Sequence, residues 1–311
     1  MSNKEKTILI IGATGYIGGA VVQQAVKDGY RVIAVTRSAK EDTRFLGAEA
    51  VVADVADPAS MEQLFNHHKI DAVISCLACR SGLTEDFFAI DYHATLNVLN
   101  VGKQHGISKF ILLSAICTRK PELPLQQAKL LMEDELIRSG VDYSIIRPTA
   151  YFWVFDVQTP MIEKGRPGYV VGSGDQAVHN PISKEDLAEF MVDCISDPER
   201  RNRIFVLGGP EVDGNVVTYK ESLEMIFKQM GKEPKISRIP RWVAMGLIRF
   251  SGFLGLFFRK PGIFSLFLKN TLYYLENDMR APGYGTMTLQ QHIENKDREI
   301  ETTQTLRTIK E

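Results

Sequence analysis

The sequence predicts an α/β fold in which a doubly wound parallel sheet is followed by a smaller, mostly helical part. Three observations carry this. Short β-branched runs alternate with helix-length amphipathic stretches through the first 150 residues, and the first run ends in a glycine-spaced turn that opens a helix. After Arg147-Pro148 the rhythm breaks, and past Gly208-Gly209-Pro210 the composition shifts toward aromatics. Such alternation argues for parallel strands, because each parallel crossover needs a covering helix.

The strands are expected at Thr7-Ile11, Arg31-Val35, Ala50-Ala53, Ala72-Cys76, Phe110-Ser114 and Tyr143-Ile146. Asp57-Pro58 and Leu123-Pro124 read as helix starts, and Gly29, Gly106 and Gly140 as helix ends. Beyond residue 150 a helix is expected from Ser183 to Ile195 and a strand at Ile204-Leu207. Further helices are expected near Thr218-Met230, Pro240-Leu256 and Pro261-Leu275. This divides the chain into a nucleotide-binding domain over 1–150, a substrate-binding part over 151–299 interwoven with it, and a polar tail over 300–311.

With 311 residues, 44% of them apolar, the chain can bury a large core. Its 37 basic and 38 acidic residues nearly balance, so no general basic field gathers nucleic acid, and none is expected as a partner. The four cysteines fit a reducing compartment. Cys76 and Cys79 form a CxxC, but no second Cys/His pair completes a metal site, and buried small side chains are the plainer reading. No run of about twenty uncharged apolar residues exists. The stretch Trp242 to Leu275 comes nearest, but Arg249, Arg259, Lys260 and Lys269 interrupt it. That pattern suits a surface groove or a membrane-facing helix pair, so peripheral membrane contact is an expectation.

Ile8-Leu9-Ile10-Ile11-Gly12-Ala13-Thr14-Gly15-Tyr16-Ile17-Gly18 places an apolar strand, a turn and a helix in register. Gly12 permits the turn, Gly15 lets backbone approach a pyrophosphate, and Gly18 lets helix pack on strand, so Gly12, Thr14, Gly15, Tyr16, Ile17 and Gly18 are candidate dinucleotide contacts. An NAD site usually ends its second strand in an acid. Here Arg37 stands in that place, suited to a 2'-phosphate, with Ser38, Lys40 and Arg44 as further donors. NADPH is therefore the expected cofactor, the plain alternative being that Arg37 is a solvated surface residue. By fold position, Asp54 follows the third strand and Cys76, Leu77 and Ala78 follow the fourth, where they would line the cofactor.

The GxxGxxG spacing is similar to that of extended and atypical short-chain dehydrogenases. The wider family uses a Ser after the fifth strand and a Tyr-x-x-x-Lys on the next helix. Ser114 and Lys129 stand in those positions and are the catalytic candidates, but Leu125 occupies the tyrosine's place. A carbonyl or alcohol reaction thereby loses its usual acid-base group. Lys129 could still hold the nicotinamide ribose or relay a proton, against the plain alternative of a surface lysine.

Longer segments are more discriminating. Val73-Ile74-Ser75-Cys76-Leu77-Ala78, Ile90-Asp91-Tyr92-His93-Ala94-Thr95, Leu112-Leu113-Ser114-Ala115-Ile116-Cys117, Gln127-Ala128-Lys129-Leu130, Tyr143-Ser144-Ile145-Ile146-Arg147-Pro148-Thr149-Ala150-Tyr151-Phe152 and Pro181-Ile182-Ser183, together with the glycine turn, resemble divinyl chlorophyllide 8-vinyl reductases. These are atypical, NmrA-like Rossmann members of the extended short-chain dehydrogenases, and the likeness runs through Tyr284-Gly285. It implies NADPH-dependent reduction of the 8-vinyl group of a tetrapyrrole, divinyl chlorophyllide, to ethyl in (bacterio)chlorophyll biosynthesis. A vinyl group conjugated to the macrocycle can accept hydride without an oxyanion clamp. Plastid members carry a long leader, and a first strand at Thr7 implies a bacterial, cytoplasmic form.

A large apolar plate bearing a carboxylate calls for aromatics with a cation at the edge. Tyr151, Phe152, Trp153 and Phe155 follow the sixth strand, on the side where ligands bind in such sheets, and are the substrate-binding candidates. Trp242, Phe250, Phe253, Phe257, Phe258, Phe264 and Phe267 lie among the later helices. His93 and His179 could donate a proton by residue type, but neither has a carboxylate at telling spacing. The alternatives are an NADP-binding sensor or assembly subunit without catalysis, and a reductase of another apolar substrate such as a quinone.

Overall fold

A computed structural model describes residues 6–38, 45–79, 83–255 and 259–296, apart from the side chains of 259–261. The first strands and helices in chain order are β1 (Thr7–Ile11), α1 (Tyr16–Lys27), β2 (Arg31–Thr36), β3 (Glu49–Val52), α2 (Pro58–His67) and β4 (Ala72–Ser75). They continue with α3 (Thr84–Asp86), α4 (Thr95–Gln104), β5 (Lys109–Leu113), α5 (Pro124–Arg138), β6 (Asp142–Pro148), α6 (Phe152–Asp156) and α7 (Thr159–Glu163). Next come β7 (Gly168–Val171), β8 (Val178–His179), α8 (Lys184–Asp193), β9 (Arg203–Leu207), β10 (Val217–Thr218) and α9 (Tyr219–Gln229). The last are β11 (Ile236–Ile239), α10 (Arg241–Gly255) and α11 (Arg259–Glu276). The expectations for Lys40, Arg44, Phe257, Phe258, the tail 300–311, and the side chains of Arg259 and Lys260 lie outside the described residues.

The chain forms two units. The first comprises Met1–Pro148 with Lys184–Val206, the second Thr149–Ser183 with Leu207–Glu311. The first unit therefore does not close at residue 150.

The first unit is a seven-stranded sheet in the order β3-β2-β1-β4-β5-β6-β9. The six strands from β1 to β6 pair in parallel, for example Ile8 with Val32 on one side and with Ala72 on the other. The apolar runs of β1, β2, β4 and β5 are continuous because both faces are covered. Leu9, Ile11, Val73 and Phe110 pack with Met61 and Phe65 of α2, Val98 of α4 and Met132 of α5. Ile8 and Ile10, equally buried, point the opposite way along the pleat, and α1 and α8 pack together in this unit. Asp57 caps α2 by accepting the Ala59 N–H (3.0 Å), with Pro58 at the first helical position. The strand order reverses between β1 and β4, which places the ligand crevice at their carboxyl ends.

The second unit holds two small sheets that the sequence reading passes over as loop: β7 pairs in parallel with β11, and β8 antiparallel with β10. Its core gathers Phe152, Phe155, Ile162, Leu223, Phe227 and Leu289. Two buried asparagines tie its loops. Asn180 donates to the carbonyls of Gly209 and Ala281 and accepts the Ala281 N–H, and Asn215 donates to Pro181 and Pro210 and accepts the Leu289 N–H. A side chain on Gly208 would collide with the Asn180 amide, which accounts for that glycine.

His179 is buried beside Phe155 (ring centroids 5.7 Å apart), and neither ring nitrogen has a hydrogen-bond partner. Burial pushes its pKa down to about 4, opposed in part by the Asp278 carboxylate. The unfolded imidazole takes its proton near 6.5 and the folded one only near 4, so between those values the unfolded state binds more protons and stability falls as the pH drops. His179→Phe is expected to remove about 3 kcal/mol of the stability lost between pH 7 and pH 4. Urea unfolding at the two pH values checks this, and an acid limb as steep as the parent's would refute it.

Candidate cofactor and catalytic site

The cradle follows from two glycines. Gly12 adopts φ +75°, and a Cβ there would lie 2.5 Å from the Cys76 carbonyl oxygen and 2.8 Å from the Leu77 nitrogen. The turn after β1 thus rests on the peptide that follows β4, at the sheet's reversal point. A Cβ on Gly18 would collide with the Gly12 carbonyl oxygen, so α1 can approach the strand end this closely only with glycine there. Gly15 closes the turn by donating its N–H to Gly12 (2.9 Å) and serves as the N-cap of α1. No side chain caps this helix and no acid stands in its first turn, leaving a start suited to an anion. Ile17 is buried behind the turn and Thr14 stands exposed at its lip. The Tyr16 ring lies 5.4 Å from the Lys184 ammonium, a neighbour that sequence spacing gave no reason to expect. These features fit a pyrophosphate.

Arg37 is exposed directly after β2, beside a tight turn in which Ser38 donates its N–H to Thr36 Oγ1 (3.2 Å). Asp54 is exposed after β3; its carboxylate accepts the Ala56 N–H and its own N–H donates to Ser60 Oγ, both at 3.0 Å. Cys76 is buried, Leu77 half-buried and Ala78 exposed. Burial pushes the Cys76 thiol up to about 12, with Lys129 opposing, so it is a protonated apolar group. Among the described residues no His, Cys, Asp or Glu cluster could hold a metal.

The catalytic candidates sit in a buried polar pair of pairs. Lys129 is buried on α5, with Nζ 2.9 Å from Oδ1 of the fully buried Asp91. This contact is an ion pair without hydrogen-bond geometry, and Asp91 Oδ1 makes no other bond. Asp91 Oδ2 accepts the Cys79 N–H (3.0 Å), so one carboxylate ties the lysine to the loop after β4. Asp91 lies in the π-helical stretch Phe87–Ala94 that joins α3 to α4. Ser114, buried at the end of β5, donates its hydroxyl to Glu133 Oε1. Glu133 is in turn gripped by Arg147, whose Nε lies 3.1 Å from both carboxylate oxygens. Lys129 and Ser114 line one small cavity with Leu77, Asp91 and Met132. Leu125, in the tyrosine's place, is half-buried one turn before Lys129.

Asp91, Glu133 and Arg147 are the residues the sequence reading misses. Glu133 follows Lys129 by four positions on one helix, and that spacing was the available signal.

The aromatic quartet of the second unit divides. Phe152 and Phe155 are fully buried in its core, so the expectation that they contact substrate is corrected: they pack against His292 and against His179 and Tyr219. Tyr151 is half-buried and Trp153 is nearly half exposed. His93 is exposed, its ring 4.7 Å from that of Tyr92.

Fold and cradle together define a nicotinamide-nucleotide-binding oxidoreductase of the short-chain dehydrogenase type. Residues 12–198 match the family described as NAD(P)H-binding. The chain belongs to the divinyl chlorophyllide a 8-vinyl-reductase family: it is 36% identical to the chloroplastic enzyme of that name from Zea mays, over 95% of this chain and 80% of the relative. A photosystem II assembly factor, Ycf39 of Synechocystis, is 23% identical over 78% of this chain and 72% of its own. The NADPH-dependent quinone oxidoreductase of Escherichia coli, solved with NADPH, superposes with a TM-score of 0.70 over 93% of this chain and 99% of its own; at 17% identity the likeness is one of fold.

Proposed function

We propose that this chain reduces the 8-vinyl group of divinyl chlorophyllide, or a related tetrapyrrole, to ethyl with NADPH. One observation carries the reading: beside the dinucleotide cradle, neither of the two positions that would donate to a developing oxyanion, 114 and 125, offers a free hydroxyl. Leu125 replaces the tyrosine, and the Ser114 proton is engaged by Glu133. Carbonyl reduction needs such a donor, whereas a vinyl group conjugated to a macrocycle spreads charge through its ring. NADPH supplies hydride when bound. Gly12, Gly15 and the start of α1 would hold its pyrophosphate and Arg37 its 2'-phosphate. Lys129, fixed by Asp91, would hold the ribose and keep a proton near the cavity. Tyr151 and Trp153 are the remaining candidates for contact with the macrocycle.

The test is to incubate the purified protein with divinyl chlorophyllide and NADPH, then follow the Soret band and the mass. A gain of two hydrogens that depends on NADPH supports the reading. NADPH binding without conversion would refute it and favour a non-catalytic role of the kind the assembly-factor relative's name describes.

The cofactor assignment has its own check. Arg37→Asp is expected to raise KM for NADPH by about 10- to 100-fold, the worth of a charge-assisted pair, while changing KM for NADH only a few-fold. Steady-state kinetics with both cofactors measures this, and equal weakening would remove Arg37 from the 2'-phosphate site.

A further inference from the structure

We propose that the outer face of the α10–α11 pair docks on an anionic lipid bilayer. The pair packs closely where Gly252 meets Ser265. Ala244, Ile248 and Ser251 are the buried positions of α10, Ser265 Oγ donates to the Ile248 carbonyl (2.9 Å), and a Cβ on Gly252 would stand 3.2 Å from that hydroxyl. Most of the aromatic side chains lie outside this contact. Trp242, Phe250 and Phe253 are 77%, 64% and 60% exposed, and on α11 Phe267 is 60% exposed beside Phe264. Positions 242, 250 and 253 fall on one side of a helix, as do 264 and 267. Five large aromatics exposed on two packed helices mark a surface that something covers.

Charge identifies the cover. Residues 241–276 carry Arg241, Arg249, Arg259, Lys260 and Lys269 against one acid, Glu276, and Arg241 holds that acid (Nη2 to Oε2 3.0 Å). The rest of the chain must then be net negative, since the total is -1. Protein interfaces deplete lysine at their centres, whereas aromatics interleaved with cations and almost no acid match the headgroup layer of an anionic membrane. No helix among the described residues is long and apolar enough to cross a bilayer, so the pair lies on the surface. Such docking is independent of the reaction catalysed.

The test uses the full chain with vesicles of phosphatidylcholine containing phosphatidylglycerol, and with phosphatidylcholine alone. Partition onto the anionic vesicles is expected to be at least about tenfold stronger and to weaken with salt. Tryptophan emission should shift to the blue, and Trp242→Phe, which keeps Trp153, should lack the shift. Phe250→Ser with Phe253→Ser should lower partition about tenfold or more with unchanged thermal unfolding. Should that variant fail to fold, Arg249→Glu with Lys269→Glu, both at exposed positions, should abolish the preference for anionic vesicles. Equal partition onto neutral vesicles, no partition onto either, or indifference to these substitutions would overturn the proposal. So would self-association that shields Trp242 without vesicles, which would give the face to a second copy of this chain.

Discussion

Lys129→Ala is expected to lower kcat for vinyl reduction by about 100-fold or more, the range of a positioned proton-transfer or orienting group. It is also expected to destabilise the fold. The sequence offers no reason for the second effect, because a lysine on an amphipathic helix reads as solvated. The structure supplies it: Asp91 is fully buried, Nζ of Lys129 is 2.9 Å from it, and removing the ammonium strands the carboxylate. Breaking a buried pair from one side costs about 3–5 kcal/mol, less whatever a protonated Asp91 recovers. The two effects separate in Asp91→Asn with Lys129→Met, which keeps an acceptor for the Cys79 N–H and leaves no charge behind. This variant should melt near the parent yet remain as slow as Lys129→Ala. Recovery of turnover along with stability would remove Lys129 from the chemistry and leave it a structural ion.

Where sequence patterns worked here, they reported local physics. Strand positions, the Asp57-Pro58 start and the glycine ends followed from period and backbone conformation, and no expected strand or helix limit moved by more than two residues. Patterns did not reveal what depends on pairing at a distance. Asp91 meets Lys129 from 38 positions away, and no spacing rule joins them. β7 and β8 were missed because four and two residues cannot declare a period, and their partners β11 and β10 arrive much later in the chain. The place of Phe152 and Phe155 after β6 points to substrate, but an aromatic residue serves core or ligand equally well until burial decides. Between these cases lies Glu133. Its helical offset from Lys129 was visible, but its strand partner Arg147 was not.

That partner makes the second large effect. Glu133→Leu is expected to cost about 3–5 kcal/mol, because it leaves a largely buried guanidinium without its carboxylate and the Ser114 hydroxyl without its acceptor. Adding Arg147→Met should return most of this loss, since a buried ion pair contributes little net stability beyond what a well-packed apolar pair of similar volume provides. Urea unfolding of the two single variants and the double variant measures the coupling directly. The double variant should still turn over more slowly than the parent, because Ser114 loses the bond that fixes its rotamer and its hydroxyl can swing toward the cavity it lines. A stable double variant with parental kcat would show that Glu133 and Arg147 only fill space, and that the orientation of Ser114 does not enter the reaction.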